Sequence, residues 1–184
     1  MTTALLVIDV QNGFNDPAWG TRNNPDAEAN IAALTNAWRD SGDPIILVRH
    51  DSTKADSPLR PGQPGNDLQP LLGDVRPALL FGKTVNSAFL GEVDLDRWLR
   101  ERGITRVVVC GIQTNMCVET TARMGGNLGY DVAVPIDATY TFELKGADGA
   151  VLSADQLAAA TAVNLHGGGF ADVTSTARLL ADRA

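Results

Sequence analysis

The sequence predicts a three-layer α/β/α fold with a central, mostly parallel sheet, Rossmann-like in its order of elements. Short apolar runs alternate along the chain with segments of helical period, the pattern of repeated βα units. The runs are apolar at consecutive positions, so helices are expected to cover both faces of each strand. No linker, internal repeat or low-complexity tract interrupts this alternation. The 184 residues are therefore read as one domain over 1–184, long enough for a sizeable core.

Residues 4–10 (ALLVIDV) form the first expected strand. Asn24-Pro25 supplies an N-cap with proline at the first helical position, and Ile31, Leu34 and Trp38 share one face of a helix that runs to Gly42. Residues 44–49 (PIILVR) are the second strand, and 51–73, rich in Pro, Gly and Asp, a long loop with one short helical turn. Loops of that length in compact domains are often functional. Residues 78–82 make the third strand, followed by a helix capped by Asp94, marked by Leu95, Trp98 and Leu99 and stopped by Gly103. Strand 106–110 leads into a helix opening near Asn115, and 131–136 is the next strand. Ser153-Ala154-Asp155-Gln156 is a capping box for a helix ending at His166-Gly167. A short strand over 171–173 and a helix over 174–180 close the chain.

Fifteen basic against 22 acidic residues leave a net charge of −7, which argues against nucleic-acid and anionic-membrane partners. Two cysteines, 110 and 117, make no disulfide framework and suit a reducing compartment. Met1-Thr2-Thr3 runs straight into a strand without a basic n-region, and no apolar run has the length of a membrane span. A cytoplasmic location is expected.

In open α/β sheets, sites lie beyond the carboxyl ends of the strands. There the sequence puts Asp9 after the first strand, His50 after the second, Lys83 after the third and Cys117 beyond the fourth. A turn at Gly111, with Thr114 or Asn115 as cap, would set the Cys117 sulfur in the first turn of a helix, where unpaired N–H groups favour a thiolate. A buried apolar role is the ordinary one for a free cysteine; an acid, an amine and a thiol on one sheet edge outweigh it. Two decoys fail. Gly82-Lys83-Thr84 lacks the glycine that a phosphate-binding loop needs at 77, where Pro77 stands. His166-Gly167-Gly168-Gly169 has no companion G-x-S-x-G elbow, and its glycines are read as a helix end.

Leu6-Val7-Ile8-Asp9-Val10-Gln11-Asn12-Gly13-Phe14, Lys83 with Asn86-Ser87-Ala88-Phe89, and Gly111-Ile112-Gln113-Thr114-Asn115-Met116-Cys117-Val118 stand in that order, with Asp137-Ala138 after the next strand. Together they resemble the isochorismatase-like cysteine hydrolases, which include nicotinamidases and N-carbamoylsarcosine amidases. The resemblance covers nearly the whole chain. It implies a catalytic triad of Asp9, Lys83 and Cys117, a cis peptide between Ile112 and Gln113, and an oxyanion hole from the Gln113 and Cys117 N–H groups. Asp9 would take the thiol proton, and the thiolate would attack an amide-type carbon and pass through a thioester.

Nicotinamidases add an Asp-x-His pair and a further histidine for a metal. Here 49–56 holds one histidine, His50, and the other, His166, lies far along the chain. No metal and no other cofactor are expected, which places the chain in a metal-free amidohydrolase branch. Gln11, Phe14, His50, Asn86, Phe89 and Tyr140 are the candidate substrate-binding residues, with Trp19 and Phe142 as further aromatics and core packing as the alternative for each. The expected partner is a small amide-type substrate, and the family resemblance implies a homodimer or homotetramer. Two other readings compete: vinyl-ether hydrolysis of the isochorismatase type, and a non-catalytic Rossmann-like binding module. The latter wants a glycine-rich first turn, whereas 9–20 offers only Gly13 and Gly20.

Overall fold

In the computed structural model, which describes residues 2–183, a seven-stranded sheet runs through the molecule. Its strands are β1 (Thr3–Ile8), β2 (Ile45–His50), β3 (Leu79–Lys83), β4 (Arg106–Ile112), β5 (Asp131–Pro135), β6 (Thr139–Tyr140) and, after a separate hairpin of β7 (Leu144–Lys145) and β8 (Val151–Leu152), β9 (Asp172–Thr174). The order is β3-β2-β1-β4-β5-β9, with β6 joined to the end of β4. Every pairing within the sheet is parallel. The chain thus steps outward from β1 to β3 and returns to β4, so the connections reverse direction between β1 and β4. A crevice opens at their carboxyl ends, the usual ligand position of such sheets.

Helices α1 (Ala27–Ser41), α2 (Leu95–Arg100), α3 (Glu119–Asn127), α4 (Ala154–Gly167) and α5 (Thr176–Ala181) fill the outer layers. Their buried residues divide into two cores. Ala4, Leu6 and Ile8 of β1 pack with Leu95 and Leu99 of α2, Ala122 of α3 and Leu165 of α4. The intervening Leu5 and Val7 pack with Ile31, Leu34 and Trp38 of α1 and Leu179 of α5. Alternate side chains of one strand feed opposite cores, which is why the run had to be apolar throughout. Among the described residues, no helix is long and apolar enough to cross a membrane.

Most expected elements are present within a few residues. Asp94 caps α2 through a 2.9 Å bond from the Arg97 N–H, and the capping box of Ser153 and Gln156 opens α4. Three helix starts differ. Helix α1 begins at Ala27 after Asp26; Asn24 instead turns back with φ 48°, and its amide donates to the carbonyls of Asp137 and Thr139 at 2.8 and 2.6 Å. The last helix starts at Thr176 under a Ser175 cap. Ahead of α3 stands a π-helical turn over Thr114–Val118, preceded by Gln113 with no side-chain cap. Thr114 donates to the Thr139 hydroxyl at 2.8 Å and Asn115 accepts from Thr141, so tertiary partners take both expected caps. The loop over 51–73 carries two 3₁₀ turns, Pro64–Asn66 and Pro70–Leu72.

Candidate active site

Asp9 is the first residue beyond β1. Its N–H donates to the Val48 carbonyl at 2.8 Å, and its φ of 53° is a left-handed conformation that aspartate tolerates better than most residues. On the neighbouring strand, Gly111 pairs with Ile8, the residue before Asp9, at φ 121°, where a Cβ would fall 2.0 Å from the Ile8 carbonyl oxygen. Only glycine allows β1 and β4 to approach this closely as β4 delivers the Cys117 turn.

Register brings His50, at the end of β2, level with Lys83, at the end of β3. Lys83 Nζ donates to Asp9 Oδ2 at 2.7 Å, with both side chains fully buried. It also lies 3.3 Å from His50 Nδ1. An ammonium offers only donors, so this contact assigns the imidazole hydrogen to Nε2. One ligand atom from each of Asp9, His50 and Cys117 lies within 4.8 Å of the others. The second carboxylate oxygen, Asp9 Oδ1, is buried without a hydrogen-bond partner among the described residues. The Ile112–Gln113 peptide is cis.

Electrostatics follow from burial. Desolvation pushes the Asp9 carboxyl above its usual range, against the opposing pull of Lys83. Burial, with the adjacent Asp9 charge, also pushes the Cys117 thiol well above the usual thiol range. The resting sulfur is therefore a thiol, unlike the thiolate expected from a helix terminus. It lies near the end of a π turn with a buried carboxylate beside it, not in the exposed first turn of an α-helix. Desolvation and the Lys83 charge hold His50 below its ordinary value, so its ring is neutral at pH 7.

A cavity of about 230 Å³ opens over this cluster. Asp9, Cys117, His50, Asn86 and Gln113 supply its polar lining, with Phe14, Trp19, Leu59, Met116 and Lys54 around them. Asn86 Oδ1 is 3.9 Å from Cys117 Sγ. Phe14 and Trp19 stand with ring centroids 5.2 Å apart, and Phe142 stacks behind Trp19 at 5.6 Å. Trp19 gains from the structure the place that sequence reasoning did not award it. Leu59, Met116 and Lys54 were not anticipated, since their loops carry no periodicity; Lys54 had only its position four residues after His50 as a signal.

Three expected substrate contacts are not at the cavity. Gln11 is fully buried; its amide donates to the carbonyls of Asn66 and His50 and its oxygen accepts from the His50 N–H, at 2.8, 3.1 and 2.8 Å. It fastens the 51–73 loop to the strand ends. Phe89 packs on Tyr130, centroids 5.7 Å apart, in the core beneath α3. Tyr140 is fully buried, edge-on to Phe142 and covered by the Arg22 guanidinium at 3.9 Å. Motif position alone could not separate these roles from pocket lining. Asp9, His50 and Cys117 form the one metal-ligand-type cluster among the described residues. A cation there would meet the Lys83 ammonium, 2.7 Å from the carboxylate, so the set does not suit a metal.

Known proteins resemble this chain along most of its length. A hydrolase of the isochorismatase family from Chromobacterium violaceum superposes with a TM-score of 0.92 at 40% identity, covering 99% of this chain and 93% of that one. The isochorismatase family protein YrdC of Bacillus subtilis is 36% identical over 97% of this chain and 95% of its own length. Nicotinamidase 3 of Arabidopsis thaliana is 32% identical over 76% of this chain and 73% of its own. The isochorismatase domain matches residues 3–166, and the chain belongs to the isochorismatase family of hydrolases.

Proposed function

We propose that this hydrolase cleaves a C–N bond of a small amide through a thioester on Cys117. The carrying observation is the buried Lys83–Asp9 pair, 2.7 Å apart, with the Cys117 sulfur beside the carboxylate at the floor of one small cavity. Asp9 accepts the thiol proton as Sγ attacks the acyl carbon. Desolvation raises the pKa of Asp9 and so makes it a stronger base than an ordinary carboxylate, and the thiol is activated only as substrate arrives. Lys83 keeps Asp9 in place and balances the charge. Backbone N–H groups of Gln113 and Cys117 are the proposed oxyanion donors, the sort of contact often worth several kcal/mol in the transition state.

As the C–N bond breaks, Asp9 returns its proton to the leaving nitrogen. Water then loses a proton to Asp9 and attacks the thioester; the acid departs and the sulfur recovers the proton. A nicotinamidase among the relatives supports an amide, and the cavity volume supports a small one. The test is ammonia release over a panel of small primary amides, with Cys117→Ala as the blank. Release by wild type and none by the variant is expected. Turnover retained by Cys117→Ala would sink the proposal.

A further inference from the structure

We propose that the substrate carries a carboxylate or similar anion at the end remote from its amide, read by Lys54 together with the Nε2–H of His50. This rests on the reading of Cys117 as the reacting thiol. The cavity lining contains two ionisable groups of fixed charge, Asp9 and Lys54. Lys83 neutralises Asp9, which leaves Lys54 as an uncompensated cation on a chain of net charge −7. Its exposed ammonium has no salt-bridge partner among the described residues. His50 lines the same cavity. With Nδ1 held by Lys83 at 3.3 Å, its remaining ring nitrogen is a donor without a partner among the described residues.

Both groups offer hydrogens and neither offers a lone pair, so the matching ligand atom is an acceptor, and a charged one is favoured. Beside the polar groups, Phe14, Trp19, Leu59 and Met116 give the cavity an apolar lining. An anionic head on a compact apolar or planar body, with the scissile amide toward Cys117, satisfies both. In a cavity this narrow, a single cation focuses its field on what enters.

The experiment compares alkylation of Cys117 by iodoacetate and iodoacetamide, reagents of similar size and different charge. In either case sulfur displaces iodide from the CH₂ carbon, and the thiol proton passes to Asp9. The ratio of the two rates, read by mass spectrometry, should fall about three- to tenfold in Lys54→Met and recover in Lys54→Arg. It should also fall for the wild type in about 0.5 M salt. A ratio unmoved by Lys54→Met overturns this inference and leaves the proposed function standing. Cys117 inert to both reagents overturns the two together. At turnover, succinamate preferred over succinamide by the wild type, with the preference lost in Lys54→Met through KM, is the expected result. Preference for succinamide overturns it.

Discussion

Cys110 and Cys117 are seven positions apart, both free and both buried, yet their surroundings have little in common. Cys110 lies within β4, fully buried, facing the α1 side of the sheet among Leu5, Val7 and Ile31. Burial alone pushes its thiol up to about 12. Cys117 is nearly as enclosed, but its neighbours are a carboxylate, an ammonium and an open cavity. Neither is a resting thiolate. What separates them is a base within reach and a path for substrate, and these two conditions are what a nucleophile requires.

The largest effect that could break this contrast is loss of turnover. Cys117→Ala should cut kcat by about 10³-fold or more, whereas Cys110→Ala should keep kcat and lose about 1–2 kcal/mol of stability through a small cavity. Equal losses of kcat in the two would erase the distinction. Next comes Lys83→Met, which strands the Asp9 carboxylate in the interior. A loss of about 3–5 kcal/mol at neutral pH is expected in urea unfolding. The sign with pH follows from linkage: a carboxyl whose folded value is raised favours folding below its ordinary value, and that advantage disappears as pH rises through the folded one. The deficit of Lys83→Met should therefore shrink toward low pH. A deficit independent of pH would mean that Asp9 is not the group left unpaired.

A smaller effect sharpens the comparison through access. Iodoacetamide should modify Cys117 at least about tenfold faster than Cys110, because Cys110 requires opening of the central strand. The subtlest test is the acid limb of kcat/KM. Asp9 must be ionised to take the thiol proton, and its value is raised, so activity should be lost on acidification at a pH above the ordinary aspartate value of about 3.9. A limb at or below that value would contradict the desolvated base.

Much of this was legible before any coordinates. Consecutive apolar residues such as Leu5, Leu6 and Val7 predicted a strand buried on both faces, and they serve the two cores in alternation. Asp94 and Ser153 announced their helices because a cap is a local interaction over three residues. Asn24 misled for the converse reason: the partners of its amide lie 113 and 115 positions away, and local preference yielded to them. Gln11 misled likewise, its hydrogen bonds spanning 39 and 55 positions. Tyr140 and Phe89 stood beside motif residues, but side-chain direction at a strand or turn decides between core and cavity, and that depends on the packed neighbours.

By itself, the sequence determined the sheet, its parallel sense and the residues offered at its carboxyl edge, because periodicity, caps and strand ends are properties of a few consecutive residues. Only the tertiary structure decided the charge state of the site. Protonation of Cys117, basicity of Asp9 and the tautomer of His50 are set by desolvation and by the Lys83 ammonium, which comes from a strand 74 positions beyond Asp9, quantities that exist only once the chain has closed around them.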